Sequence, residues 1–409
     1  MTIPSDATPA FFSRREFLKQ SVLMTGAALV SNEALYSAGP SDAIGTPWRA
    51  AIIGHTGKGD YGHGLDVIFN DRENIQVVAV ADPDPSGRAK AAAQSRALRQ
   101  YDDYRLMLAR EKPQLVSIAP RWADQHHAMA LAAFKVGAHV YMEKPFAQIL
   151  AEADDLLNTA QQAGLKIAVA HQMRLSPGVL HLKQALEDGL MGDLLQMRAY
   201  GKQDARAGGE DLLVPGMHLF DLIRCFAGDP QWCMARVLWK GRDISRQDAR
   251  KVTEQIGPVA GDDIEAQFAF ANGVQASFTS RSKLREAAGH WGIEMVGSKA
   301  SARILADACP TVYWSKTGNG ETSGRTDPGR RWENDPMLNT AEAERGFIPA
   351  NQRVVEDWLK AIKNNREPVC SGRAAMKALE MVMAVYHAGL SGARVSIPLK
   401  DRTHPLKPA

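Results

Sequence analysis

The stretch that decides the fold is Ala50-Ala51-Ile52-Ile53-Gly54-His55-Thr56-Gly57-Lys58-Gly59. A short apolar run bounded by turn residues is typical of a buried strand. Glycines in the loop that follows let the backbone approach a pyrophosphate, which then lies at the N-terminus of the next helix. We therefore predict a strand over residues 50–53, a dinucleotide-binding loop over 54–59 and a helix near 65–69.

Two alignments of this loop with the G-x-G-x-x-G pattern are open. In the first, Gly54 and Gly59 match, and Thr56 replaces the middle glycine. In the second, Gly57, Gly59 and Gly62 all match, but the pattern begins three residues later. We favour the first because it begins where the strand ends. Gly57 and Lys58 then belong to the cofactor-binding loop as well.

Apolar strands alternate with helices as far as residue 170. Short strands separated by helices of about 10–15 residues are typical of βαβ units on a parallel sheet. We therefore predict a dinucleotide-binding α/β domain over residues 48–170. Its further strands are expected at 75–81, 115–119, 138–141 and 167–170, and its further helices at 86–98, 125–136 and 151–162.

Asp82 ends the second predicted strand. An acidic side chain about 20 residues after the glycine loop can accept hydrogen bonds from the ribose hydroxyls of a dinucleotide. Asp84 follows in Asp82-Pro83-Asp84-Pro85, and a second acid would repel a 2′-phosphate. The pattern therefore favours NAD over NADP.

The pattern changes after residue 175, where strands recur without regular helices between them. Asn272-Gly273 is a strong hairpin signal between two of these strands. We predict an α+β domain over residues 171–400 with a mainly antiparallel open sheet. Its strands are expected at 194–200, 234–238, 264–270, 274–280, 292–296 and 301–305, its helices at 217–227, 351–364 and 373–390, and a surface loop at 315–339.

Composition and charge exclude several classes of protein. The chain has 409 residues, 45% hydrophobic and 23% charged, which indicates a globular protein of two or three domains. Lys plus Arg total 49 against 46 Asp plus Glu, which gives no basic surface for nucleic acid. The four cysteines have no CxxC spacing, so neither a disulfide scaffold nor a zinc site is expected. No metal is predicted.

The N-terminus carries Ser13-Arg14-Arg15-Glu16-Phe17-Leu18-Lys19, followed by an apolar run over residues 22–30. This pattern resembles a twin-arginine export signal. We therefore expect residues 1–43 to direct the protein through the twin-arginine export machinery to the periplasm. Ser41 and Ala43 are small enough for a cleavage site. A cleaved signal and an uncleaved anchor both stay open.

Two further motifs carry a family resemblance. Glu143-Lys144-Pro145 follows the fourth predicted strand, and Met217-His218-Leu219-Phe220-Asp221 opens a helix. With the glycine loop, they resemble the family of glucose–fructose oxidoreductase, inositol 2-dehydrogenase and the MocA proteins (Gfo/Idh/MocA) over residues 49–400. The resemblance implies a Rossmann domain and an NAD(P)-dependent oxidoreductase acting on CH–OH groups of a sugar, polyol or sugar derivative.

The resemblance also implies roles for individual residues. Lys144 would lie beside the nicotinamide and exchange a proton with the substrate hydroxyl, and Glu143 would contact the nicotinamide-ribose side. Of the family's catalytic Asp–His pair only His218 carries over, since the position four residues earlier is Val214. Glu210 or Asp211 is a candidate for the missing carboxylate.

The remaining candidates lie near the ends of predicted strands, where a cofactor crevice is expected in a parallel sheet. Pro120 and His126 follow the third strand and are assigned to the cofactor. The predicted substrate-binding residues follow the fifth strand, end the first strand of the second domain or open its helix: His171, Arg174, Lys202 and Asp221.

Three functions stay open at this point. The first is an exported oxidoreductase acting on a carbohydrate with NAD. The second is a redox-neutral NAD-dependent glycosidase or lyase, and the third a non-catalytic protein that binds a sugar or a dinucleotide. We also expect a homo-oligomer formed through the sheet of the second domain.

Overall fold

The computed structural model describes residues 47–252, 254–284, 291–316, 333–334 and 345–407. The predicted export signal over residues 1–43 lies outside the described residues. So does most of the surface loop predicted over 315–339. The described parts of that loop belong to strands.

The first sheet has six parallel strands in the order β3-β2-β1-β4-β5-β6. This order, with β1 central and the chain crossing to the other side at β4, is that of a doubly wound Rossmann fold. The strands are β1 Trp48–Ile53, β2 Ile75–Ala81, β3 Arg99–Tyr101, β4 Leu115–Ile118, β5 His139–Met142 and β6 Ile167–Val169. The helices are α1 Pro85–Ser95, α2 Tyr104–Glu111, α3 His126–Lys135 and α4 Leu150–Gln162.

The sheet is buried on both faces, which explains why the sequences of these strands are continuous apolar runs. Every residue of β4 is buried, and so is every residue of β2 except Gln76. The predicted α/β architecture is confirmed. The short edge strand β3 and helix α2 were not predicted, because their sequences are polar and carry no clear period.

The predicted helix near residues 65–69 is wrong. The chain runs from Tyr61 to Asp71 through successive turns instead. Gly62 and Gly64 both have positive φ, which a helix cannot accommodate. A Cβ on Gly62 would also lie 2.6 Å from the carbonyl oxygen of Ala119. Gly62 therefore lets this segment lie close to the end of β4.

The second sheet has ten strands in the described part of the chain, and β9 pairs only with β8 at its edge. β7 and β11 pair in parallel, and the other recorded pairs are antiparallel, as predicted. The strands are β7 Leu194–Tyr200, β8 Pro230–Trp239, β9 Arg242–Asp243, β10 Asp263–Phe270, β11 Gln275–Arg281, β12 Gly292–Gly297, β13 Ala300–Leu305, β14 Thr311–Lys316, β15 Glu333–Asn334 and β16 Val395–Ser396.

Helices of the second half pack on both sheets. Their bounds are α5 Pro177–Glu187, α6 Gly209–Leu213, α7 Pro215–Ala227, α8 Phe347–Lys363 and α9 Gly372–Ser391. α9 has thirteen buried residues and packs on β8 and α7.

Helix α8 returns to the first sheet. Trp358 is fully buried in the same apolar cluster as Ile52 and Val80. Its ring N–H donates to the carbonyl of Lys166, and the hydroxyl of Tyr141 donates to Asn351. The C-terminal part of the chain therefore completes the core beneath the dinucleotide loop. In the described part of the chain, no helix is long and apolar enough to cross a membrane.

Candidate active site

Two cavities lie along the edge of the first sheet where its parallel strands end. One encloses about 270 Å³ at the ends of β1 and β2, with Gly54 and Asp82 in its wall. The other encloses about 140 Å³ at the ends of β5 and β6, with Lys144 and Gln172 in its wall and residues of the second half opposite. This edge is where doubly wound sheets bind ligands.

Asp82 anchors the glycine loop from within the protein. Its carboxylate accepts hydrogen bonds from the backbone N–H of Thr56 at 3.0 Å, the hydroxyl of Thr56 at 2.8 Å and the N–H of Asp84 at 2.9 Å. Thr56 thus has a structural reason to replace the expected glycine. Asp82 also borders the first cavity, so one carboxylate shapes both the loop and the wall beside it.

The rest of the loop leaves room for a bound group. Gly57 has φ of +79°, and a Cβ there would meet nothing within 4 Å. Lys58 is exposed beside it. Gly59 lies so close to Arg121 that only glycine fits, and its carbonyl accepts the N–H of Arg121. Gly54 at the start of the loop borders the first cavity, and His63 after the loop borders the second, so a dinucleotide that spanned both cavities would pass along this open loop.

Lys144 is the buried amine of the second cavity. It is 6% exposed and follows β5 directly. Burial lowers the pKa of Lys144, and the cations Arg206 and Arg121 add to this, while Glu143 and Glu254 partly oppose it. A lysine with a lowered pKa can give and take a proton nearer neutral pH than an ordinary lysine.

The carboxylate of Glu143 is buried and makes its recorded contacts within the protein. Oε1 accepts the backbone N–H of His63 at 3.0 Å and also contacts His63 Nδ1, and Oε2 accepts the N–H of Lys144 at 2.9 Å. Burial raises the pKa of Glu143, but His63 and Lys144 outweigh it and bring the pKa to about 2. Glu143 is therefore a buried anion paired with His63.

His126 was assigned to the cofactor, but the structure leaves no ring nitrogen free to bind one. The ring is fully buried, with Nδ1 2.8 Å from the carbonyl oxygen of Pro145 and Nε2 2.7 Å from that of Pro120. The imidazole links the end of β4 to the Lys144-Pro145 segment. Through this link His126 and Pro120 hold the segment that carries Lys144 in position.

His218 lies in the first turn of α7 and borders the second cavity, as Lys144 does. Burial lowers its pKa well below 6.5, and nearby Lys144 and His171 lower it further. Its ring centroid lies 5.5 Å from that of His171. His218 Nδ1, His171 Nε2 and Gln172 Oε1 are buried without a hydrogen-bond partner among the described residues. Buried polar atoms normally have partners, so this cluster is suited to a polar ligand.

Arg174 and Asp221 were assigned to the substrate, but the structure places them behind the cavity wall and pairs them with each other. Arg174 donates to the two carboxylate oxygens of Asp221 at 2.7 and 2.9 Å. His171 Nδ1 lies 3.3 Å from the same carboxylate. Burial raises the pKa of Asp221, but Arg174 and His171 outweigh it and hold the pKa well below its usual range. This ion pair holds α7 and His171 in place.

Neither candidate for the missing carboxylate replaces the acid expected at Val214. Asp211 is fully buried and accepts hydrogen bonds from Lys202 N, Gln203 N and Ser280 Oγ. Glu210 is not among the residues of the cavity wall, whereas Val214 is. The carboxylate that does border the second cavity is Asp307, between β13 and β14.

Sequence reasoning missed several residues of the second cavity. These residues are His63 and Phe347, whose rings contact each other, together with Arg206, Trp291 and Asp307. The Lys202 ammonium lies 5.6 Å from the centre of the Trp291 ring, so Lys202 does border the cavity as predicted. Only His63 carried a signal, since Gly62-His63-Gly64 directly continues the glycine loop. Among the described residues no group of three or more His, Cys, Asp or Glu could hold a metal ion.

Family models match both halves of the chain. Residues 48–171 match the Gfo/Idh/MocA oxidoreductase family, NAD-binding Rossmann fold, and residues 196–397 match its C-terminal alpha/beta domain. The chain belongs to the Gfo/Idh/MocA oxidoreductase family. This confirms the predicted family, enzyme class and NAD cofactor.

Individual relatives are dehydrogenases and glycosidases. A D-apiose dehydrogenase of Paraburkholderia graminis is 26% identical over 343 residues, which cover 80% of this chain and 85% of that one. A glycosyl hydrolase family 109 protein of Shewanella amazonensis is 30% identical over 212 residues, 46% of each chain. This chain thus spans less than half of the second relative.

Solved structures share the fold. A levoglucosan dehydrogenase in complex with NADH and levoglucosan has a TM-score of 0.69, is 19% identical, and is matched over 87% of this chain and all of its own. The predicted two-domain fold is confirmed by this likeness.

Proposed function

We propose that the protein is an NAD-dependent oxidoreductase that oxidises a CH–OH group of a sugar or sugar derivative. The observation that carries the proposal is the second cavity, whose wall includes two buried titratable side chains, Lys144 and His218. Named relatives that act on D-apiose and D-glucosides support the substrate class.

The chemistry divides between cofactor and protein. Bound NAD supplies a hydride acceptor at the nicotinamide. Lys144 takes the proton from the substrate hydroxyl, since its lowered pKa makes the neutral amine accessible. Neutral His218 orients the same hydroxyl group through a hydrogen bond.

The outer part of the cavity suits a sugar ring. Trp291 offers a flat apolar surface, and polar groups of Lys202, Arg206 and Asp307 stand around it. Aromatic surface with a few polar groups is the usual composition of a small-molecule site. Lys202 and Asp307 would then bind hydroxyl groups away from the reacting carbon.

A redox-neutral glycosidase or lyase is the second candidate, favoured by the match to the family 109 glycosyl hydrolase. In that reaction the substrate would be oxidised, cleaved by elimination and reduced again. The test is a panel of free sugars and aryl glycosides, with NADH absorbance and released aglycone followed together. NADH without aglycone supports the oxidoreductase. Aglycone without NADH would establish the redox-neutral reaction instead, and neither product would indicate a binding protein.

We expect protein purified without added NAD to carry bound dinucleotide. An exported enzyme leaves the cytoplasmic cofactor pool, so a slowly released cofactor is needed, and such affinity differences appear mainly in the off-rate. The measurement is mass spectrometry of the supernatant after denaturation. Empty protein that needs millimolar NAD would contradict the expectation.

We expect Asp82→Ala to weaken NAD binding more than NADP binding, because the carboxylate borders the first cavity and would repel a 2′-phosphate. Calorimetric titration with both cofactors measures the difference. Thr56→Val is the control, since it removes one bond to Asp82 but keeps the carboxylate. Equal losses for the two cofactors would mean that Asp82 acts only through the loop.

We also propose export through the twin-arginine machinery. The support is the Arg14-Arg15 pair before the apolar run over residues 22–30. Residues 1–45 fused to a reporter that is active only outside the cytoplasm should give activity, and replacing both arginines by lysine should remove it. Unchanged export in that variant would exclude the twin-arginine signal.

A homo-oligomer through the second sheet is proposed as well. Leu195 and Tyr200 on the central strand β7, and Met234 on β8, are exposed large apolar side chains. A second copy of the chain would cover them. Light scattering should show an oligomer that Leu195→Glu weakens, and a monomeric wild-type protein would exclude it.

A further inference from the structure

We propose that His63, held by the Glu143 carboxylate, is the route by which the proton taken up by Lys144 leaves the active site. This rests on the proposed oxidation, because only a net oxidation releases one proton for each substrate molecule. The family's Asp–His pair is incomplete in the second half, because Val214 replaces the aspartate. Under this proposal a carboxylate–imidazole pair is present in the first half instead, between Glu143 and His63.

Because Lys144 is buried, the proton that it takes up needs a route out of the active site. When the alcohol is oxidised, the C–H hydrogen leaves as hydride and the O–H proton goes to the Lys144 amine, which becomes an ammonium. The ammonium must return to the amine before the next substrate molecule can react. Lys144 is only 6% exposed, so direct exchange with bulk water is hindered.

The hydrogen bonds define which nitrogen of His63 is available. Glu143 is an ionised carboxylate and can only accept, so the Nδ1 that contacts it must carry the hydrogen. A neutral imidazole has one ring N–H, which leaves a lone pair on Nε2. His63 borders the same cavity as Lys144, and its side chain is 25% exposed. The ring therefore borders the cavity that holds the buried amine and is also partly open to solvent.

The surroundings of His63 hold the ring in this orientation. The Phe347 ring centroid lies 4.4 Å away, and Asn351 donates to the His63 carbonyl at 3.1 Å. Glu143 contacts His63, and the same cavity is bordered by Lys144, which lies just after β5, and by His218 of α7. Three further charged groups in the cavity wall are Lys202, Arg206 and Asp307. Glu143 is the anion in direct contact with His63 and would pair with the imidazolium formed during the transfer.

The proposed route consists of two proton transfers, from Lys144 to His63 and from His63 to solvent. An N–H of the Lys144 ammonium transfers its proton to Nε2 of His63, which restores the amine and forms an imidazolium paired with Glu143. Nε2–H then gives the proton to water or to a buffer base. No group is oxidised or reduced in these steps.

The test separates a relay from a structural contact. His63→Asn places an amide near the Nδ1 position, which keeps a donor for Glu143 but removes the Nε2 lone pair. We expect kcat to fall about 10²-fold at low buffer concentration, with KM and NAD affinity within about threefold. Added imidazole should restore kcat, whereas wild-type kcat should not depend on buffer concentration. His127→Asn is the matched control, because His127 forms a 2.7 Å pair with Asp155 on the protein surface.

A second measurement does not depend on turnover. NMR of protein with ¹⁵N-labelled histidine, assigned with the His63→Gln variant, should show hydrogen on Nδ1 and a lone pair on Nε2 in neutral His63. Unchanged kcat in His63→Asn, a loss that imidazole does not restore, or hydrogen on Nε2 would overturn the relay alone. A wild-type protein that oxidises no sugar would overturn the proposed function and the relay together.

Discussion

Replacing Lys144 by alanine should lower kcat by roughly 10²–10⁴-fold, the usual contribution of a positioned acid–base group. Lys144 is the buried amine at the end of β5, and its pKa lies below the 10.5 of a free lysine because of burial. Wild-type activity should therefore rise with pH as the neutral amine forms, and the variant should lose this rise. Steady-state kinetics across a pH series measures both effects.

Controls distinguish loss of the proton acceptor from loss of binding. Dinucleotide affinity of Lys144→Ala should stay within severalfold of the wild-type value. Lys144→Arg should also be inactive, because a guanidinium stays protonated. Lys135→Ala, at the exposed end of α3, should behave as wild type. A Lys144→Ala variant that keeps most of its kcat would reject the assigned role.

Replacing Asp221 by alanine should cost about 3–5 kcal/mol of unfolding free energy, because it leaves Arg174 as a buried charge without its partner. Both side chains are largely buried, and the pair has two hydrogen bonds. Denaturant titration measures the loss. Asp243→Ala is the control, since Asp243 and Arg236 form an exposed pair whose removal should change stability little.

The sign of the pH dependence follows from the depressed pKa of Asp221. Its stabilising effect is fully present above the unfolded-state pKa of about 3.9 and is lost as pH falls towards the folded-state value. The difference in stability between wild type and Asp221→Asn should therefore shrink below about pH 4. A difference that grows on acidification would contradict the ion-pair assignment, and a changed KM with unchanged stability would favour direct substrate binding.

Periodicity of the chain predicted the sheets but not all of the loops. Runs such as 75–81 and 194–200 match strands to the residue because burial dictates their apolar pattern. The helix predicted near residues 65–69 was wrong, because Gly62 before it allows a close approach to Ala119 that only the folded chain reveals. Sequence order cannot show that residues far apart in the chain come this close.

In the candidate site, too, the sequence predicted some residues correctly, whereas the positions of others became clear only in the folded chain. Lys144 and His218 belong to motifs with fixed neighbours, and both border the second cavity. His126 and Glu143 lie at the predicted edge, but their polar atoms are used by Pro120, Pro145 and His63. Trp291 lies directly before β12 and Asp307 just after β13, in segments without a sequence pattern. Whether a polar side chain faces a ligand or another part of the protein depends on its partners, and these are fixed only on folding.

The return of the C-terminal part to the first sheet has a consequence for synthesis. Trp358 fills the core beside Ile52, and Arg402 forms a bidentate ion pair with Asp154 on α4. During translation the N-terminal half emerges from the ribosome long before Trp358 and Arg402 have been synthesised. The apolar surface of the first sheet that Trp358 covers therefore stays exposed until translation is nearly complete. Chaperone protection during that interval should matter more for this chain than its modular sequence pattern would indicate.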